Sequence, residues 1–185
     1  MEWVKALLEA QGSTLGSSDR NTVTAEEYNA SEKVGWKFTE RDYLLQKEAW
    51  QKNRFAGIRT HVESTAGYGR KLMNGQIHKL TMEIGSGYVN ENRTDGSTND
   101  YATGRAFGQY VLTLSSTAHF TQDVEYLPKW KDVSDYRLMT ETALVASVMN
   151  HLSLKISYEW KRVNRPPVGF GRDDTMTSAA LVMNY

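Results

Sequence analysis

Four histidines are the side chains with the clearest catalytic or metal-binding chemistry. In the alternating pattern described below, His61 and His119 share a polar face with Ser153 and Ser157. A serine, a histidine and a carboxylate in contact could hydrolyse a lipid ester, so an outer-membrane lipid hydrolase is one hypothesis. No nucleophile elbow or spacing motif marks either serine, and we therefore do not expect an enzyme. The four histidines are His61, His78, His119 and His151. No two of them have the spacing of a zinc site, so we expect no metal.

Acidic and amide side chains in the predicted connections suggest a second chemistry. Their oxygens could bind calcium, or cations that bridge lipopolysaccharide phosphates. No EF-hand spacing is present and such residues commonly form turns, so we favour turns. The pairs Gly67-x-Gly69 and Gly85-x-Gly87 precede no helix, so they predict strand kinks rather than nucleotide loops, and we expect no cofactor. The side chains in question are Asp95, Asn99, Asp100, Asp132 and Asp135.

Charged side chains recur on one face of the alternating segments, in nearly matched signs. Inside a narrow barrel such charges would pair across the lumen and largely fill it. The sequence therefore predicts a plugged or very narrow lumen rather than a wide pore. The predicted network comprises Arg59, Glu63, Glu83, Arg105, Asp123, Glu125, Arg137, Glu141, Lys155 and Glu159.

The elements that must position these charges are β-strands, because the hydrophobic pattern has period two. One face of the fourth segment, for example, reads Ile58, Val62, Ala66, Tyr68 and Leu72. The segment over 42–52 has no clean face, but its place in the series predicts a strand. The chain, residues 1–185, is expected to form one domain with ten strands, over 3–11, 27–38, 42–52, 58–72, 77–90, 101–115, 118–130, 136–149, 152–163 and 174–185.

Composition narrows the class of protein. The 185 residues carry 22 basic and 22 acidic side chains, which excludes a uniformly basic nucleic-acid-binding chain. There is no cysteine, hence no disulfide scaffold or thiol catalysis. Aromatic residues make up 11%, too many for a disordered chain. With a mean hydropathy of -0.58 and no long apolar run, the chain has no predicted membrane helix.

The connections predict an up-and-down order. Long ones are expected over 12–24, 53–57, 91–100, 131–135 and 164–173, and short ones near 39–41, 73–76, 116–117 and 150–151. Long and short connections alternate along the chain, as they do when all loops of one parity leave a barrel at the same rim. The sequence therefore predicts an antiparallel β-barrel of about ten strands.

The direction of the apolar face separates two hypotheses. In a soluble lipocalin-like or fatty-acid-binding barrel this face points inward around an apolar ligand, whereas in a membrane barrel it points outward. Strand length and a final strand ending Leu181-x-Met183-x-Tyr185 favour the membrane. So does a predicted interfacial girdle of aromatic side chains near the ends of the apolar runs: Trp36, Tyr88, Tyr110, Trp130, Tyr136, Tyr158, Trp160 and Tyr185.

Several stretches in order carry a family resemblance. They include Arg41-Asp42-Tyr43-Leu44, Asn53-Arg54-Phe55-Ala56-Gly57, Glu83-Ile84-Gly85-Ser86-Gly87-Tyr88 and Pro166-Pro167-Val168-Gly169. From about Thr24 to Tyr185 the chain resembles the YdiY-like family of salt-induced outer-membrane proteins, a domain-of-unknown-function family (481).

The resemblance implies a barrel in the outer membrane of Gram-negative bacteria, with no established activity and no catalytic residues to transfer. It implies a structural or envelope-stress role, contacts with outer-membrane lipids and lipopolysaccharide, and recognition of the C-terminal strand by the barrel assembly machinery. No nucleic-acid partner is expected. Members usually carry a signal peptide and further strands, so a 12-stranded barrel is the alternative to ten; this chain shows no signal peptide and is expected to lack a leading hairpin.

Overall fold

The computed structural model describes residues 5–19, 22–53, 57–149, 152–166 and 169–183. Every strand pairs antiparallel with the next in chain order, and β1 and β10 are the edges of the resulting ten-stranded half-barrel. The predicted all-β, up-and-down fold is confirmed. The strands are β1 (Lys5–Asp19), β2 (Thr22–Lys37), β3 (Asp42–Asn53), β4 (Ile58–Asn74), β5 (His78–Arg93), β6 (Thr98–Thr113), β7 (Ala118–Lys129), β8 (Asp132–Met149), β9 (Leu152–Val163) and β10 (Asp173–Met183).

No helix in the described ranges is long and apolar enough to span a membrane.

Turns at both rims contain residues of the types expected in turns. We call the rim with the turns after β2, β4, β6 and β8 the even rim, and the opposite one the odd rim. At the even rim, Gly75 N–H donates to the carbonyl of His78 at 2.9 Å and closes the β4–β5 hairpin. At the odd rim, the backbone N–H and hydroxyl of Ser97 donate to Asp95. These hydrogen bonds lower the pKa of the Asp95 carboxyl, as in an ordinary turn.

The predicted alternation of long and short connections is wrong. β1 and β2 stay paired as far as Asp19 and Thr22, where a long connection was expected. β5 extends to Arg93, and β8 begins at Asp132. Polar residues continue these hairpins because each further pair satisfies backbone hydrogen-bonding groups. Of the connections between described strands, only that over 164–172 exceeds four residues.

The apolar face points outward and the charged face inward. Ile84 and Leu144 on neighbouring hairpins are 63% and 44% exposed, whereas the Glu83 and Thr103 residues are each 1% exposed. β3, which the sequence left undecided, follows the same rule, with Tyr43 buried and Leu44 exposed. The interior of the half-barrel therefore holds charged and other polar side chains together with a few apolar ones, and many large apolar side chains cover its outside.

A β-bulge at the start of β4 reverses two predicted side-chain directions. The register to β5 shifts between Ile58 and Thr60, so one extra residue is inserted into β4. Ile58, predicted on the outward apolar face, is buried at 5% exposure. Arg59, predicted in the lumen network, is exposed and has no ion pair in the part of the chain that the structure describes. Glu63, beyond the bulge, is buried.

Glycines bring β4 and β5 close together. Gly67 lies directly opposite Gly85 in the register. A Cβ atom added at Gly67 would lie 2.4 Å from the carbonyl oxygen of Ile84 and 3.0 Å from the Cα of Gly85. Because both obstacles are backbone atoms, the strands would have to move apart to admit a side chain.

We expect Gly67→Ala to lower the free energy of unfolding by about 1–3 kcal/mol, the usual cost of overpacking. Gly12→Ala is the control, because a Cβ there would lie 3.8 Å from the carbonyl oxygen of Asn29, an ordinary contact. Urea unfolding in detergent micelles measures both variants. Equal stability of the two would contradict the close approach.

Candidate functional site

Glu83 is the centre of a buried charge network in the lumen. Its side chain is 1% exposed and accepts hydrogen bonds from three other strands. Tyr43 O–H donates at 2.5 Å, Lys33 Nζ at 3.1 Å and Arg105 Nη1 at 2.7 Å. These donors belong to β3, β2 and β6, while Glu83 belongs to β5. One carboxylate thus joins four strands of the sheet.

Arg105 links Glu83 to a second carboxylate. Its Nε donates to Glu125 Oε1, and Lys47 Nζ lies 2.7 Å from the same oxygen. The guanidinium also lies 5.0 Å from the centroid of the Phe107 ring, an arrangement that favours a cation–π contact. Charged donors therefore compensate both buried carboxylates, as burial of a charge requires.

The contact between Lys47 and Glu125 shows how tightly the sheet curls. Lys47 is on β3 and Glu125 on β7, four strands apart in the sheet order. In a flat sheet their strands would be about 19 Å apart, because neighbours are spaced by about 4.8 Å. A 2.7 Å ion pair at this separation means that side chains bridge the lumen.

A second network lies nearer the odd rim. Glu91 on β5 is bonded by His61 Nδ1 at 3.3 Å, by Arg93 Nε at 2.9 Å and by Arg137 Nη2. Arg137 lies on β8, so this pair also crosses the lumen. Glu63 lies beside the network and accepts a hydrogen bond from Thr65 at 2.9 Å.

The other predicted network residues lie on the strands near β10 and are less buried. Lys155 pairs with Glu141, and Lys161 Nζ lies 2.7 Å from Glu159. Gln109 Nε2 donates to Asp123 Oδ2 at 3.3 Å. Asp123 and Glu141 are direct cross-strand neighbours, as are Glu141 and Glu159, so a row of three carboxylates crosses β7, β8 and β9.

Sequence reasoning missed several members of these networks. Lys33 was placed on the polar face but not in the predicted set, and Glu91 was assigned to a connection because β5 was predicted to end too early. Tyr43 and Lys47 lie on β3, whose faces could not be told apart by hydrophobicity. The available signal was their spacing. Tyr43, Leu45 and Lys47 follow one another at intervals of two and so share one face of the strand, whereas Leu44 lies on the other face.

Among the described residues, His61 contacts no serine. Its ring contacts Glu91, Glu63 and Arg137, while Ser157 Oγ bonds Ser178 Oγ at 2.8 Å. His78 bonds the Tyr110 hydroxyl at 2.7 Å, and His151 lies outside the described residues. The described residues contain no group of three or more His, Asp or Glu arranged to hold a metal ion.

Two cavities of different size lie along the lumen. A cavity of about 620 Å³, which we call the even chamber, lies between the Glu83 network and the even rim, and is lined by Lys37, Lys71 and Phe107 among others. A cavity of about 80 Å³ lies near the odd rim, beside Phe170 of the last connection.

Comparison with known proteins identifies the family. A family described as "Protein of unknown function, DUF481" matches residues 2–185. The chain belongs to the DUF481 family. The DUF481 chain is 31% identical over 156 residues to an uncharacterized protein, YdiY, of Escherichia coli strain K12. That match covers 84% of this chain and 60% of the relative, so the chain spans about 60% of its length.

A solved structure of the NanC porin has the same fold. It matches the DUF481 chain with a TM-score of 0.60, over 97% of this chain and 99% of the porin chain. Sequence identity is 8%, so the likeness concerns the fold alone.

The residues predicted as an aromatic girdle in the DUF481 chain fall into three groups. Trp36, Tyr88, Trp130 and Tyr158 are 43–59% exposed on the outer face. Tyr110, Tyr136 and Trp160 are half-buried, with the Tyr136 ring 5.4 Å from that of Tyr126. Tyr185 lies outside the described residues.

We expect Arg105→Met to lower the free energy of unfolding by about 3–5 kcal/mol, because two buried carboxylates lose a shared partner. Arg165→Met is the matched control: its ion pair with Asp132 is about half-exposed, and such pairs contribute at most about 1 kcal/mol. Glu141→Ala should fall between them, since Glu141 and Lys155 are 25% and 32% exposed. Thermal unfolding in micelles ranks the three. An unchanged Arg105→Met protein would contradict a stabilising network.

Proposed function

We propose that this DUF481 chain forms a membrane-embedded β-barrel of the bacterial outer membrane, with a narrow charged lumen and no catalytic role. The observation that carries the proposal is the reversed distribution of polarity. Large apolar side chains such as Ile84, Leu144, Ile156 and Leu181 are 44–67% exposed, while charged side chains such as Glu83 and Arg105 are buried. A protein surrounded by hydrocarbon has this distribution.

The soluble-barrel hypothesis requires the opposite arrangement. A lipocalin-like or fatty-acid-binding barrel encloses its ligand with the apolar face, but here that face is outside and the interior holds ion pairs. A continuous exposed apolar surface of this kind in water would be an aggregation liability. The exposed rings of Trp36, Tyr88, Trp130 and Tyr158 further support an interfacial location.

The role we propose is structural or related to envelope stress. The geometry bears most directly on the lumen. Side chains bridge it at two levels, Lys47 to Glu125 and Arg137 to Glu91. Free passage of large solutes is incompatible with these bridges. Outer-membrane lipids, lipopolysaccharide and the barrel assembly machinery are the proposed partners of the outer face and of β10.

A lipid hydrolase is the second candidate, and the geometry does not favour it. His61 would serve as the general base of such an enzyme, yet its ring contacts carboxylates and a guanidinium, with no serine among its partners in the described chain. Loss of lipid hydrolysis in His61→Ala or His119→Ala would be needed to support it.

Dependence on detergent tests the membrane proposal. We expect the purified chain to stay monodisperse in micelles and to precipitate or unfold when detergent is removed, because its apolar face would then contact water. An unheated sample should also migrate differently from a boiled one in gel electrophoresis. A protein that is folded and monodisperse in plain buffer would overturn the proposal.

A single substitution on the outer face should change the stability by different amounts in a bilayer and in water. Ile84 lies near the middle of β5, and in a bilayer Ile84→Arg should cost about 2–4 kcal/mol. On a surface in water the same change should alter stability by no more than about 0.5 kcal/mol. Ser115→Arg, in an exposed turn of the even rim, is the control. Reversible unfolding from lipid vesicles measures the difference.

A further inference from the structure

The even chamber carries more positive than negative charge. Five cationic side chains line it, against four carboxylates. The cations are Lys33, Lys37, Lys47, Lys71 and Arg105, and the carboxylates are Glu9, Glu83, Asp123 and Glu125. The lining of the chamber therefore has one cation more than it has carboxylates.

Ion pairs account for three of the five cations. Lys33 contacts Glu9 and Glu83, at 2.9 and 3.1 Å. Lys47 and Arg105 are engaged by Glu125 and Glu83, as described above. Three cations and three carboxylates thus neutralise one another.

Lys37 and Lys71 are the two that remain. Neither side chain has a partner within the described residues, although both are partly buried. Asp123, the fourth carboxylate, accepts a hydrogen bond from Gln109 at Oδ2, and its buried Oδ1 has no hydrogen-bond partner among the described residues.

The two lysines flank a flat patch of the chamber wall. Lys37 lies opposite Tyr43, Tyr43 lies opposite Gly69, and Lys71 follows Gly69 by two residues. The Tyr43 ring covers Gly69, where an added Cβ would lie 2.2 Å from its Cζ. The Cβ atoms of the lysines are therefore roughly 12 Å apart, from the spacing of strands and residues in a sheet. Two flexible four-carbon stems can converge on one group across that distance.

Phe107 adds an apolar surface to the same chamber. Its ring faces the lumen on β6 and lies 5.8 Å from Lys33 Nζ. A solute in the chamber can thus contact an aromatic face as well as ammonium groups.

We propose that the even chamber binds small organic anions, compact molecules with a carboxylate or phosphate group. Lys37 and Lys71 hold the anionic group, and the carbon skeleton rests on Phe107. The inference rests on the proposed function, because it treats the chamber as part of a membrane-barrel lumen. The solute enters from the even rim, because the chamber lies next to that rim, whereas the cavity described near the odd rim measures about 80 Å³ and Phe170 lies against Gly57 there.

Protection of lysines from acylation tests the site. The protein in micelles is treated with a water-soluble amine acylating reagent, and modification of each lysine is followed by mass spectrometry. Phenyl phosphate at about four times its dissociation constant should slow modification of Lys37 and Lys71 about fivefold. Lys131, exposed in the turn before β8, is the control within the same molecule and should be unaffected.

Three outcomes overturn the proposal or part of it. Absence of protection by phenyl phosphate overturns it, as does equal protection by sodium chloride at the same ionic strength, which would indicate screening alone. Equal protection by inorganic phosphate overturns the role of Phe107 and of the carbon skeleton.

Variants give a second measurement. Lys37→Gln with Lys71→Gln should abolish binding of phenyl phosphate in equilibrium dialysis, whereas Lys131→Gln should bind like the unmodified protein. Unchanged heat-modifiable mobility shows that the double variant is folded. Binding retained by the double variant overturns the site. If the protein is instead monodisperse without detergent, the same experiments run in plain buffer, so failure of the membrane proposal is seen separately.

Discussion

Compensation of buried charge is the constraint on which the interior of the half-barrel depends. A carboxylate as buried as Glu83 is tolerated only with donors around it, and here they come from β2, β3 and β6. Those strands must hold their register and curvature for the donors to reach. Gly67 and Gly69 serve this geometry directly, one by letting β4 and β5 approach and the other by leaving room for the Tyr43 ring.

The same constraint divides the lumen into regions with different chemistry. Around Arg105 and Glu91, paired side chains bridge distant strands. In the even chamber, on the even-rim side of Arg105, Lys37 and Lys71 have no partner among the described residues. A structural interior and a candidate binding site thus arise from one polar face, according to whether its charges are matched locally.

Period-two alternation was sufficient to predict ten strands, their order and the polar side of most of them. It succeeded because side-chain direction in a strand depends only on parity. It failed at Ile58 and Arg59, where a bulge changes the parity and nothing in hydrophobicity marks the change. It was silent on β3, where Tyr43 and Leu45 point inward although both are apolar.

The ends of the strands and the partners of the charged residues could not be predicted from the alternation, for a different reason. Turn-forming residues marked where a hairpin could end, but paired backbone groups carried β1 and β2 further, to Asp19 and Thr22. Parity gives the face on which a charged side chain lies, but which charges meet depends on curvature. Lys47 and Glu125 are 78 residues apart, and no local feature indicates that they touch.

That separation has a kinetic consequence. Adjacent hairpins need only local loop closure, which is fast, whereas contacts between remote residues carry a large entropic cost before they form. The bridges from Lys33 to Glu83 and from Lys47 to Glu125 can therefore close only after the sheet has curled. Formation of the hairpins and formation of the ion pairs across the lumen are therefore separate events in time. Substitutions at these ion pairs should chiefly change the rate of unfolding.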